Sequence, residues 1–188
     1  MSTIVTTTRR GFLGAFFGIA TVAAAPSHAG IFSLLRGAGD IRRVKMYSGR
    51  TGEFIDTIYW VDGDYIPEAL KEVNYFMRDW RENEVAKYDV RNLDIIAATQ
   101  NLLETDEPYL LLSGYRTPHT NAMLRSRSRA VASNSYHMKG MAADLRLKSR
   151  SIKQMAHAAL ACNSGGVGTY GQSNFVHMDC GPIRTWRG

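Results

Sequence analysis

Apolar residues change their period several times along the chain, and each change marks an element. Residues 43–47 and 54–61 alternate apolar and polar side chains around Ser48-Gly49-Arg50-Thr51-Gly52, which predicts two strands joined as a hairpin. From Pro67 the period lengthens: Leu70, Val73, Phe76, Met77 and Trp80 recur at helical spacing, and proline suits the first turn of such a helix. A second helix is expected over residues 92–103, with Leu93, Ile96 and Leu103 facing inward. Residues 109–112 read as a short buried strand that runs into Ser113-Gly114-Tyr115-Arg116. Thr117-Pro118 then carries the N-cap and first-turn chemistry of a third helix. A strand over 142–147 and a fourth helix over 151–161, with Ile152, Met155, Ala159 and Leu160 on one side, come next. The segments 165–170, 175–180 and 183–186 complete an antiparallel sheet. Helices and strands mixed without a regular alternation predict an α+β fold, an antiparallel sheet with flanking helices.

Length and composition fit that picture and narrow it. The chain has 188 residues, 45% hydrophobic and 21% charged, which suits one modest domain with a core and excludes a disordered polymer or a multispan membrane protein. Its start is different in kind. Thr8-Arg9-Arg10-Gly11-Phe12-Leu13 opens a moderately apolar run that ends in Pro26-Ser27-His28-Ala29, the pattern of a twin-arginine export signal with a cut after Ala29. The run is short and weakly apolar for a membrane anchor. Residues 1–29 are therefore expected to be a leader and 30–188 a single domain, monomeric and free in the periplasm, with no stable membrane insertion after cleavage.

Charge is divided unevenly. Residues 30–107 hold 10 basic and 15 acidic side chains, whereas 108–188 hold 11 basic and only 2 acidic, Asp144 and Asp179. All four histidines of the domain, His119, His137, His157 and His177, also fall in this second half. The two carboxylates retained there are the place to look for chemistry.

His137-Met138-Lys139-Gly140-Met141-Ala142-Ala143-Asp144 and the later Val176-His177-Met178-Asp179 supply three nitrogen or oxygen donors. Three protein ligands with one open position describe a catalytic zinc site, whereas structural zinc is closed by four ligands rich in cysteine. Other readings of the same residues stay open: His137 as a hydrogen-bonded loop residue, and Asp144 as an ion-pair partner for nearby arginines. His177 and Asp179, two apart on a strand, share a face, so one ion could see both directly or through water.

These residues also carry a resemblance. Ser113-Gly114-Tyr115-Arg116-Thr117, Ser135-Tyr136-His137-Met138-Lys139-Gly140-Met141-Ala142-Ala143-Asp144, Gly166-Val167-Gly168-Thr169-Tyr170 and Phe175-Val176-His177-Met178-Asp179 resemble the LAS zinc peptidases. That clan holds lysostaphin-type, D-Ala-D-Ala carboxypeptidase and hedgehog-type domains, and within it the chain is similar to the murein endopeptidase K group. The likeness spans nearly the whole domain, including Tyr59-Trp60-Val61-Asp62-Gly63. It implies a hedgehog/DD-peptidase-like fold, one Zn2+ on His137, Asp144 and His177, and hydrolysis of peptide cross-links in peptidoglycan. Arg116 would hold a substrate carboxylate or polarise the scissile carbonyl, and Ser135 and Tyr136 would line the cleft. His119 and His157 match no motif.

One departure bears on mechanism. The carboxypeptidases place a Glu shortly before the last histidine, where this chain has Ser173-Asn174-Phe175-Val176. Asp179, the only other acid of the half, is then either the catalytic base or the partner that orients His177 through its second ring nitrogen. The missing Glu also motivates an alternative function, a non-catalytic murein-binding or scaffold domain that keeps the fold. D,D cross-links, L,D cross-links between diaminopimelate residues and terminal D-Ala all remain candidate substrates.

The other features are read more plainly. Cys162 and Cys180 are the only cysteines, and in an oxidising compartment a disulfide between them is expected, closing a short loop for about 3 kcal/mol. Unpaired buried thiols and zinc ligation by Cys180 are its rivals. The Gly-rich run at 165–168 lacks the Lys-Ser/Thr ending of a phosphate loop and reads as a tight helix-to-strand turn. Arg125, Arg127 and Arg129 suggest nucleic acid only until the export signal is considered, and no nucleic-acid partner is expected.

Overall fold

The computed structural model describes residues 39–188; the expected leader lies outside the described residues. Eight strands form one sheet: β1 (Ile41–Ser48), β2 (Phe54–Val61), β3 (Asp64–Tyr65), β4 (Tyr109–Ser113), β5 (Ala142–Arg146), β6 (Gly166–Tyr170), β7 (Phe175–Asp179) and β8 (Arg184–Arg187). Their order across the sheet is β3-β2-β1-β4-β5-β7-β6-β8. Among the described residues four α-helices accompany them: α1 (Pro67–Phe76), α2 (Val90–Leu102), α3 (Pro118–Arg127) and α4 (Ile152–Ala161), with a 3-10 turn at Tyr136–Lys139. The fold is α+β, as the sequence implies.

The sheet is antiparallel except at two joins. β1 pairs with β4 in parallel, after a crossover through α1 and α2, as a parallel neighbour requires. β8 runs opposite to β7 but pairs on the far side of β6, and so lies parallel to β6. The expected all-antiparallel ending is corrected there. Local pairing rules give a strand's direction, and which edge it joins is decided by packing.

Two helices differ from their sequence patterns for identifiable reasons. α1 stops at Phe76, and Trp80 is not part of it. The Met77 carbonyl accepts instead from the Tyr115 amide at 2.7 Å, which ties the helix end to the chain leaving β4. α2 is not one-sided: residues from Asn92 to Gln100 are buried all round, because the helix packs on α4, β1 and β7. Its polar residues are satisfied in place, Asn92 donating to the Met178 carbonyl at 3.0 Å and Gln100 to that of Glu107 at 2.8 Å. Asp94 accepts from the hydroxyls of Tyr59 and Tyr65 and lies 2.8 Å from the fully enclosed Arg42, whose guanidinium also covers the Trp60 ring.

Among the described residues no helix is long and apolar enough to cross a membrane. The cysteines correct another expectation. Both are free thiols, Cys162 facing Thr99 Oγ1 and the Ala158 carbonyl between α2 and α4, and Cys180 facing the Met141 carbonyl at the start of β5. The two sulfurs point to different neighbours, so the expected bridge does not form.

Candidate metal centre

β5 and β7 are adjacent and antiparallel, and their register sets Asp144 directly opposite His177. Their side chains therefore emerge on one face of the sheet as neighbours. His137 reaches the same place from the 3-10 turn before β5. Ser135 caps that turn through a hydrogen bond from the His137 amide at 3.3 Å, and Gly140 ends it in a left-handed conformation with φ 63°. A Cβ on Gly140 would stand 2.8 Å from the Lys87 carbonyl oxygen, so only glycine fits the sharp turn that brings His137 back over Asp144.

Each ring nitrogen has a distinct partner. His137 Nδ1 donates to the Gly114 carbonyl at 2.7 Å, which leaves Nε2 facing Asp144 Oδ1 at 3.2 Å. His177 is turned the other way: Nδ1 faces the same Asp144 oxygen at 2.8 Å, and Nε2 is 3.0 Å from Asp179 Oδ2. The donor atoms of His137, Asp144 and His177 all lie within 4.8 Å of one another. Each histidine thus has one nitrogen committed to the protein and one aimed at the shared carboxylate. This is the arrangement that a divalent ion with nitrogen and oxygen ligands needs, with a supporting partner behind each ring.

All three groups are buried, and burial shapes their protonation. Burial, with the nearby Arg116 charge, pushes the His137 imidazole down to about 4. Burial also pushes the Asp144 carboxyl up, but the facing His137 and Arg116 outweigh it and hold the group well below the usual carboxylate range. For His177, burial is overcome by the hydrogen bonds to Asp144 and Asp179, and its value rises.

Arg116 stands beside these three residues. NH2 donates to Asp144 Oδ2 and Nε donates to Ser113 Oγ at 2.7 Å, while NH1 makes no hydrogen bond among the described residues. It lines, with Ser135, Tyr136, Tyr170 and Trp186, a cleft of about 490 Å³ that opens onto His137, Asp144 and His177. Asp179 does not line it. Its carboxylate is fully buried behind His177, where it accepts from His177, from Arg184 and from the Gly181 amide at 2.9 Å. The reading of Asp179 as the catalytic base is corrected on this geometry: the carboxylate lies on the side of the His177 ring away from Asp144. His119 is exposed and pairs with Glu82, and His157 sits on the exposed side of α4, so neither joins the site.

A family model described as "Peptidoglycan L,D-endopeptidase MepK" matches residues 36–186, which includes every residue of the centre. The chain belongs to this MepK peptidase family. It is accordingly an enzyme of a peptidase family, and relatives extend the likeness. The Peptidoglycan L,D-endopeptidase MepK of Escherichia coli (strain K12) is 44% identical over 136 residues, 72% of this chain and 75% of that protein. The Probable peptidoglycan L,D-endopeptidase MepK of Haemophilus influenzae is 40% identical over 139 residues, 73% and 75% of the two chains. The three residues that sequence reasoning singled out, His137, Asp144 and His177, are brought together, whereas it did not single out Arg184 and Trp186, which also line the cleft. Their only sequence signal was alternation on a short final strand beside two glycines.

Proposed function

We propose that the protein is a zinc-dependent L,D-endopeptidase of peptidoglycan, exported by the twin-arginine route and acting in the periplasm on cross-links between diaminopimelate residues. The observation that carries the reading is the convergence of His137 Nε2, His177 Nδ1 and Asp144 Oδ1 at the floor of an open cleft. The names of the relatives support the substrate and the bond type.

His137, Asp144 and His177 would hold one Zn2+, which when bound supplies a hydroxide at neutral pH and polarises the carbonyl to be cut. The chain's own residues do the rest. Arg116 fixes the second oxygen of Asp144 and offers NH1 to the cleft, where a substrate carboxylate can be held by a charge-assisted hydrogen bond. Asp179 holds the Nε2 proton of His177, which keeps Nδ1 unprotonated toward the ligand position once an ion is present. Tyr136, Tyr170 and Trp186 wall the cleft and exclude water from one side of it. The excess of basic residues in this half of the chain favours approach of anionic cell-wall peptides.

Digestion of purified cross-linked muropeptides, with and without a chelator and read by mass spectrometry, tests the proposal. Chelator-sensitive release of products split at the L,D bond is the expected result. Intact fragments from a zinc-loaded protein would leave the non-catalytic murein-binding domain, a reading favoured by the lack of any cleft-lining carboxylate besides Asp144 among the described residues.

A further inference from the structure

The last strand of the sheet reaches the metal centre from behind. Arg184 and Trp186 alternate on β8, and parallel pairing sets Gly166 opposite Arg184 and Gly168 opposite Trp186. A Cβ at Gly166 would collide with the Arg184 guanidinium and the Asp179 carboxylate, and one at Gly168 with the Trp186 indole. The alternating glycines of β6 therefore clear the floor on which these two side chains lie, which is a different use from the turn their sequence suggests.

Arg184 lies there in a defined pose. NH1 donates to Asp179 Oδ1 at 3.0 Å and NH2 to Oδ2 at 2.7 Å, a two-pronged grip on a fully buried carboxylate. Oδ2 is the same atom that receives His177 Nε2. The guanidinium is 5.0 Å from the Tyr136 ring centre and 4.8 Å from that of Trp186, so aromatic faces hold it as well. Trp186 itself lies 5.2 Å from the His177 imidazole, and its Nε1 donates to the Tyr170 hydroxyl at 3.0 Å.

We infer that Arg184 is a positioning residue for the metal centre. Its fork fixes the plane of the Asp179 carboxylate, the carboxylate fixes the Nε2–H tautomer and ring angle of His177, and the ring then aims Nδ1 at the ion. A lysine has no planar fork and cannot set that plane in the same way. The inference rests on the metal-site reading above and adds to it a role for β8, which contributes no ligand.

Arg184→Met and Arg184→Lys test it. Zinc affinity is measured by competition with a chromophoric chelator, the Co2+-substituted protein by visible absorption, and the His177 ring nitrogens by 15N chemical shift. Arg184→Met should weaken zinc about 10- to 100-fold, alter the Co2+ spectrum and mix the His177 tautomers, while Arg184→Lys recovers part of the affinity. Should Arg184→Met not fold, Arg184→Gln, which keeps an amide donor but loses the two-pronged grip on Asp179, must give losses in the same direction. Wild-type zinc affinity and wild-type His177 shifts in a folded variant overturn the inference alone. A wild-type protein that takes up no zinc overturns the metal-site reading and this inference with it.

Discussion

His137 and His177 present opposite ring nitrogens to a single oxygen of Asp144, Nε2 at 3.2 Å from one and Nδ1 at 2.8 Å from the other. The difference follows from what stands behind each ring, a main-chain carbonyl at Gly114 for the first and the Asp179 carboxylate for the second. A neutral acceptor and an anionic one make the two rings unequal in basicity.

Removal of a converging ligand should therefore cost more than loss of a supporting partner. His137→Ala and His177→Ala are each expected to lower zinc affinity beyond the about 100-fold typical of such partners, and to abolish muropeptide cleavage. Equilibrium dialysis and product analysis on the same preparations check both effects.

Arg116 should separate into a bracing and a substrate role. Arg116→Ala removes a charge that keeps Asp144 ionised, so zinc binding should weaken roughly 10-fold or more and should weaken further as the pH is lowered. Arg116→Lys should retain much of the zinc but raise KM, because a point charge cannot grip both Asp144 and a substrate carboxylate as a fork does. Metal titrations and steady-state kinetics read the two effects separately.

Zinc uptake should release a proton. Burial lowers the His177 value, but both its nitrogens face carboxylates, which raise it overall from that of an ordinary imidazole, and an ion at Nδ1 must displace the proton held there. Affinity is therefore expected to climb with pH through and above about 6.5. Calorimetry in buffers of different ionisation enthalpy counts the protons.

Acid should unfold the metal-free protein partly through Asp179. Burial raises its value, but the bonds from His177 and Arg184 prevail and hold it at about 2. A carboxyl so depressed stabilises the fold above its unfolded value of about 3.8, and that contribution is lost as pH falls through 2. Asp179→Asn should flatten the dependence of the urea midpoint on pH in that window.

Asp94→Ala should destabilise without touching the cleft. It would leave Arg42 enclosed with no counter-charge, a change that costs about 3–5 kcal/mol in comparable buried pairs. Thermal unfolding should show a large drop in Tm, with zinc affinity preserved in the folded fraction.

The elements were largely legible because their signals are local. Pro67 and Thr117-Pro118 mark helix starts that the structure reproduces, the helix expected over 151–161 is found at Ile152–Ala161 with Ser151 as its cap, and alternation over 54–61 coincides with β2. The convergence of His137, Asp144 and His177 was legible for a different reason, since the motif order of the family resemblance marked them as a set. Three features were hidden. The end of α1 depends on a hydrogen bond from Tyr115, the all-round burial of α2 on packing against α4 and the sheet, and the free state of Cys162 and Cys180 on where each sulfur points.

By itself the sequence determined the α+β class and the acid-poor half that holds His137, Asp144 and His177, since these follow from periodicity, residue type and count, while the grouping of those three residues as a metal site came from the family resemblance. Tertiary structure alone decided that Asp144 sits opposite His177, that Asp179 stands behind the ring rather than in the cleft, and that β8 returns along β6 to bring Arg184 onto Asp179. Strand register and edge choice are set by the packing of distant segments, and no local pattern encodes them.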